Sequence, residues 1–384
     1  MKTRIFLLMA LIPSLAVAEA EKKSDVHVNF TDLALWSKNS SKGEFFNSAN
    51  LTLNSNLFFE DVNLKIPGKV TLTYNLFGLD NDSQLNSSEN WQGGVGSYLP
   101  GALAMNDIAD FQLSNLTWDS SWADNKLYTS IGRLNARRYF YYNICSLGAL
   151  CLDPVKTATG SLPMPYGYWG GYFKYNLTDD FYIHAGAFEV NSNDFVEEKN
   201  GLDFSLNHGN GENYIYSAGY NLPEKRGKAE LTYSENKSDN RNALTGQTYT
   251  QINSYNARFN YKFDPEQRYE VAGTYSYIDQ ENWVYKSYWE LGLNCKDCLL
   301  GQKLGLRSGQ STLNDDFYSY TQTLNGNQHK TTTFVSIDTE FAYERVSVAP
   351  FVQFIWNPDN YYKSQGDSFD ENLIVGALFK AKLY

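Results

Sequence analysis

Apolar and polar positions alternate one for one along several stretches of this chain. In 255–263, Tyr255, Ala257, Phe259, Tyr261 and Phe263 interleave with Asn256, Arg258, Asn260 and Lys262. The same split separates Val70, Leu72, Tyr74 and Leu76 from Lys69, Thr71, Thr73 and Asn75, and Val335, Ile337 and Phe341 from Ser336, Asp338 and Glu340. Near the C-terminus Leu373, Val375, Ala377, Phe379, Ala381 and Leu383 share one parity. Successive side chains of a strand point to opposite faces, so each stretch predicts a strand with one greasy and one wet face.

With weaker cases included, strands are predicted at 26–35, 51–60, 69–78, 109–118, 126–133, 167–177, 181–190 and 213–222, and at 228–235, 254–263, 269–278, 286–293, 302–307, 332–343, 345–356 and 373–384, sixteen in all. Long connections (36–50, 79–108, 135–166, 191–212, 236–253, 308–331, 357–372) alternate with short ones, and only 279–285 is shorter than its place predicts. Such alternation arises when both chain ends lie on one side of a membrane, with tight turns there and long loops opposite. The short 222–227 and 263–268 segments place proline and charge where turns belong. In hydrocarbon every backbone polar group must be paired, so the sheet has to close on itself. Sixteen strands then leave a lumen wide enough for water. The expected fold is an all-β transmembrane antiparallel β-barrel of about 16 strands, with short periplasmic turns and long extracellular loops. A secreted soluble β-sandwich or β-helix is the competing architecture. Aromatics at predicted strand ends (Trp36, Trp118, Tyr128, Trp169, Tyr255, Trp356) favour the barrel, because they suit interfacial girdles.

Composition narrows this further. Mean hydropathy is −0.47, and a helical span needs about 20 consecutive apolar residues. The comparable stretch, 5–17, follows Lys2 and Arg4 and ends at the small residues Ala16, Ala18 and Ala20. It reads as a cleaved secretory signal peptide over 1–18, with cleavage after 20 as the second choice, leaving one barrel domain over 19–384. Losing Lys2 and Arg4 takes the net charge from −11 to −13, which argues against nucleic acid as a partner. Export to an oxidising compartment lets Cys145 pair with Cys151 and Cys295 with Cys298. No nucleophile elbow, zinc spacing or phosphate loop occurs, and the four histidines are scattered. No catalytic residue, metal site or cofactor is therefore expected, and acidic pairs such as Asp80 with Asp82 and Asp315 with Asp316 read as solvated loop charge.

Several segments resemble the carbohydrate-selective porin family of bacterial outer membranes, OprB: IGR at 131–133, ICSLGALC at 144–151, YWGG at 168–171, GAFEVN at 186–191, NGLDFS at 200–205, AGY at 218–220, VAPFVQFIWNP at 348–358 and the final NLIVGALFKAKLY. The likeness is densest over 127–220 and after 341. The resemblance implies an outer-membrane channel for passive, gradient-driven diffusion of monosaccharides such as glucose, set in lipid and lipopolysaccharide. An outer-membrane receptor or adhesin barrel acting through its loops is the alternative. The lipid-facing set carries too little charge to choose between a monomer and a homotrimer.

A sugar-selective constriction needs charged or amide groups for hydroxyls and aromatic rings for the sugar's apolar faces. The third long connection, 135–166, occupies the position that folds into the lumen in general porins. It opens with Arg137, Arg138, Tyr139, Phe140, Tyr141 and Tyr142, and a Cys145–Cys151 disulfide would hold its root. Along the wall, polar-face parity nominates Lys174, Glu230, Arg258, Glu270, Arg307, Asp338 and Glu340; Arg133 joins them by motif, sharing its parity with Leu127 and Ile131. Opposed acidic and basic lining would set a transverse field across the lumen. Trp169 is a candidate for sugar stacking, with a girdle or packing role as the plainer reading.

Overall fold

The structure is a computed structural model that describes residues 24–41, 43–63, 66–76, 91, 94–95, 111–141, 153, 155, 159, 166–189, 202, 211–238, 240–241, 246, 248–280, 283–299, 302–325, 329–358 and 369–384. The signal segment and the Cys145–Cys151 pair lie outside the described residues. Among the described residues eighteen strands run in chain order: β1 (Asp25–Ser37), β2 (Phe45–Phe58), β3 (Lys69–Leu76), β4 (Phe111–Trp122), β5 (Leu127–Leu134), β6 (Tyr168–Asn176), β7 (Phe181–Glu189), β8 (Gly211–Leu222), β9 (Gly227–Ser238), β10 (Asn240–Arg241), β11 (Thr248–Tyr249), β12 (Ile252–Lys262), β13 (Tyr269–Ile278), β14 (Tyr285–Leu299), β15 (Gln302–Leu313), β16 (Thr331–Tyr343), β17 (Val346–Trp356) and β18 (Glu371–Lys382). Sixteen of them close an antiparallel barrel, and β10 with β11 forms a separate ribbon. Closure runs through β1 and β18, from Asn29 opposite Lys382 to Ser37 opposite Ile374. The Leu383 amide then donates to the Val28 carbonyl at 2.8 Å. With its two margins joined, the sheet has no edge to leave unpaired in lipid.

Every predicted strand has its counterpart. The largest displacement is β2, which runs Phe45–Phe58 rather than 51–60. Its added first half places polar Asn47 on the same parity as Phe45 and Ala49, which erases the two-residue period there. Where the period is clean the faces separate as expected. On β12, Ser254, Asn256 and Arg258 are buried while Tyr255 and Phe259 are exposed to the surroundings. Outward Leu231, Leu291, Leu306 and Ile337 complete an apolar band. Among the described residues no helix is long and apolar enough to cross a membrane.

The short connections fall at the end where β1 starts and β18 ends. Their backbones use left-handed positions such as Asn63, Asn125, Glu224 and Gln267, which tight turns demand. Gly227 (φ +156°) is one place where only glycine fits: a Cβ there would come within 1.9 Å of the Asn260 carbonyl oxygen. Cys295 and Cys298 form a disulfide near the β14–β15 turn, with Cα atoms 5.7 Å apart.

At the long-loop end the interior is apolar. Leu33, Leu35, Phe46, Phe351, Ile355 and Ile374 of the wall meet Trp91, Val95, Val155 and Phe317 from the loops in one buried cluster. Phe317 comes from α2 (Asp315–Asn325), which follows α1 (Ala136–Phe140). The charged interior lies nearer the short-turn end.

Candidate functional site

The connection after β5 turns into the barrel at once. Asn135 is extended, and hydrogen bonds from the Arg138 amide to the Asn135 carbonyl and from the Tyr141 amide to the Arg137 carbonyl, each 3.1 Å, wind α1. Asn135 Nδ2 donates to the Tyr166 carbonyl and joins the two ends of the loop. Leu134, Ala136, Phe140 and Tyr141 pack with Tyr168, Tyr172, Phe188 and Ile215, which lie on the inner faces of β6, β7 and β8. Phe140 stacks on the His184 imidazole with centroids 4.9 Å apart and planes 9° from parallel. It also meets Tyr172 edge-on at 5.2 Å and Phe188 at 6.0 Å. Such ring pairs contribute about 0.5–1.5 kcal/mol each beyond their buried area, enough to seat a five-residue helix that has no stability of its own.

Beneath α1 lies a polar cluster. Glu230 Oε2 is 3.2 Å from His184 Nε2 and accepts the Tyr182 hydroxyl at 2.9 Å. Arg258 Nε sits 3.9 Å from Glu230 Oε1 and donates to Asn256 Oδ1 at 2.9 Å. The Arg258 guanidinium lies over the Tyr141 ring at 4.6 Å, so wall and loop meet through a cation–π contact. Lys174 Nζ sits 4.0 Å from the Tyr182 ring centre. Gly219 makes this arrangement possible: a Cβ there would fall 2.2 Å from Tyr182 Cζ, so the ring lies flat on the wall and its hydroxyl reaches Glu230. Register brings Gly219, Glu230, Arg258, Thr274 and Glu290 into one row across β8, β9, β12, β13 and β14.

A second polar cluster lies beyond β13. Arg307 Nη2 is 3.2 Å from Asp338 and its Nε is 3.9 Å from Glu290. Glu290 also accepts the Tyr288 hydroxyl at 2.6 Å. All three charged side chains are at most 2% exposed. Towards the turns, Lys303 pairs with Glu340 at 3.1 Å, and Glu270 accepts from Asn260 and Asn294, each at 3.2 Å. The loop is tied to this side as well: Ser276 donates to Asp153, whose carbonyl accepts from Arg137 Nη2 at 3.4 Å. Tyr139 shares a 2.9 Å hydrogen bond with Ser130, which donates to Asp119 at 2.6 Å. Burial pushes the Tyr139 phenol up, so it remains a neutral hydroxyl.

Lys174, Glu230, Arg258, Glu270, Arg307, Asp338 and Glu340 thus all take the inner parity, and Arg137, Arg138, Tyr139 and Tyr141 stand on or beside α1. Two candidates do not face the lumen, and for Trp169 this matches the plainer reading of a girdle or packing role. Trp169 takes the parity of Phe173 and Tyr175, which are exposed on the outer surface, so it cannot stack on a solute in the lumen. Arg133 is 2% exposed and its Nε donates to the Leu113 carbonyl at 2.7 Å, a wall contact rather than a lumen one. The expectation of opposed acidic and basic walls also changes. The two charged sectors are neighbours separated by β13, and each mixes both signs.

Sequence reasoning left out His184, Tyr182, Asp153 and Glu290. Glu290 had a usable signal, being flanked by the outward Trp289 and Leu291. His184 and Tyr182 had none, because the inward set of β7 is as aromatic as its outward set.

Comparison with known proteins follows this geometry. The model of the carbohydrate-selective porin, OprB family matches residues 71–381. In solved structures, OprB of Pseudomonas putida at high pH superposes with a TM-score of 0.77 at 18% identity, covering 94% of each chain. The outer membrane channel DcaP of Acinetobacter baumannii gives 0.57 at 12% identity over 96% of this chain and 100% of its own. The anion-selective porin of Comamonas acidovorans gives 0.57 at 11% identity over 94% and 100%. At these identities the structural likeness speaks for the fold alone. No curated protein matches the sequence.

Proposed function

The chain belongs to the carbohydrate-selective porin family, OprB, and from that membership we propose that this outer-membrane porin passes monosaccharides such as glucose by passive diffusion down their gradient. The observation that supports this most strongly is the aromatic turn 139–141 lying inside the barrel against Tyr172, His184 and Arg258. Sugars carry hydroxyls around a weakly apolar ring. Tyrosine faces and charge-held donors and acceptors answer both features at once.

The reading includes export by a signal segment over 1–18, a single barrel domain over 19–384, a setting of outer-membrane lipid and lipopolysaccharide, and assembly as a homotrimer. Proteoliposomes carrying the full chain test its centre. Glucose influx should saturate with concentration. Influx that rises linearly without limit would reject selectivity, and no influx at all would reject the channel.

A further inference from the structure

The polar cluster under α1 holds more positive than negative charge. Glu230 is one carboxylate; around it stand Arg258 at 3.9 Å, Lys174 over the Tyr182 ring whose hydroxyl donates to Glu230, and Lys228 two positions before Glu230 on the same face of β9. Lys228 lies in register between Asn221 of β8 and Asn260 of β12. Burial sorts the four. Glu230 and Arg258 are covered, at 4% and 3% exposure. Lys174 and Lys228 are only half-buried, and both have the inner-face parity of their strands. The part of the cluster that a solute can touch is therefore net cationic, since half-buried Glu270 nearby is matched by Lys262 opposite it, although the chain as a whole carries −11. Of the nearby rings, Tyr182 and Tyr141 are covered, at 3% and 7% exposure; those a solute can touch are the half-buried Tyr128, which lies opposite Lys174 in register, and Tyr139, which packs with it on Tyr172.

A neutral hexose can use the rings, but it gains little from two ammonium groups. A hexose carrying a carboxylate uses both, because charge-assisted hydrogen bonds to an oxyanion are about twice as strong as neutral ones. A small inorganic anion would use the lysines and leave the rings idle. The geometry points to hexuronates, sugar acids that keep the pyranose ring, as the solutes this lumen favours over neutral hexoses of the same size. The inference rests on the porin reading above and sharpens its substrate class.

The full chain in proteoliposomes at low ionic strength tests it, with glucuronate and glucose as paired probes. Glucuronate should enter about threefold faster or more, an effect of the kind that a focused field produces. The ratio should fall towards one in the double variant Lys174→Gln, Lys228→Gln, and also as salt screens the lysines. The unaltered protein offers a second reading in planar bilayers: under a KCl gradient the reversal potential should show preference for chloride. Glucuronate slower than or equal to glucose, or a preference for potassium, overturns the inference while leaving glucose passage intact. Entry of neither sugar overturns the porin reading on which it rests.

Discussion

Two sectors of the same wall solve the burial of charge in different ways. Between β6 and β12, Glu230 shares its charge among several partners, His184, Tyr182 and the Asn256-held Arg258, with α1 laid over them. Between β14 and β16, Glu290 and Asp338 both lean on the single guanidinium of Arg307. The first sector spreads its electrostatics over many hydrogen bonds and keeps half-buried lysines at its edge. The second concentrates them in one ion triad with its side chains at most 2% exposed. An interior arranged in the first way can exchange partners with a passing solute. The second way fixes the wall and offers a solute little.

The sharpest break of this contrast is Arg307→Leu. It removes the guanidinium from between two buried carboxylates and should cost about 3–5 kcal/mol, read as a lower temperature at which the folded barrel is lost on detergent gels. Arg258→Leu should cost clearly less, because Glu230 keeps His184 and Tyr182; equal losses would erase the distinction. Next is Gly219→Val, whose side chain must displace Tyr182 from the wall. Crowding of this kind costs about 1–3 kcal/mol, and it should also alter single-channel conductance, since Tyr182 lies under Lys174.

The smallest effect is at an exposed pair that serves as a foil to both sectors. The hydrogen bond and charge of Lys330 hold the Asp315 carboxyl below its ordinary value of 3.8. A carboxyl lowered in the folded state contributes stability that is fully present above pH 3.8 and is lost as pH falls through the depressed value. A slight acid-side loss of thermal stability should therefore disappear in Lys330→Gln, while the loss caused by Arg307→Leu persists at neutral pH.

The same contrast explains what the sequence could reveal. On β3, β12 and β16 the outer face meets hydrocarbon and the inner face carries polar groups, so two-residue periodicity alone assigns Arg258, Asp338 and Glu340 inward. That signal fails where the inside is also greasy. On β7, inward Tyr182, His184 and Phe188 face aromatic α1, and nothing in composition sets them apart from outward Phe181 and Ile183. Trp169 was nominated through its residue type and motif, which say nothing of direction; its parity with Phe173 settles the matter. The ties made by Ser276 to Asp153 and by Arg258 to Tyr141 join residues more than 100 positions apart, and only the closed barrel brings them together.

The account depends above all on α1 occupying the lumen as the surface a solute must pass. Single-channel recording of the Phe140→Ala, Tyr141→Ala double variant, with and without added glucose, tests that most directly. The prediction is a higher ionic conductance than the unaltered protein and loss of any glucose-dependent reduction of current. An unchanged conductance together with an unchanged response to glucose would contradict it.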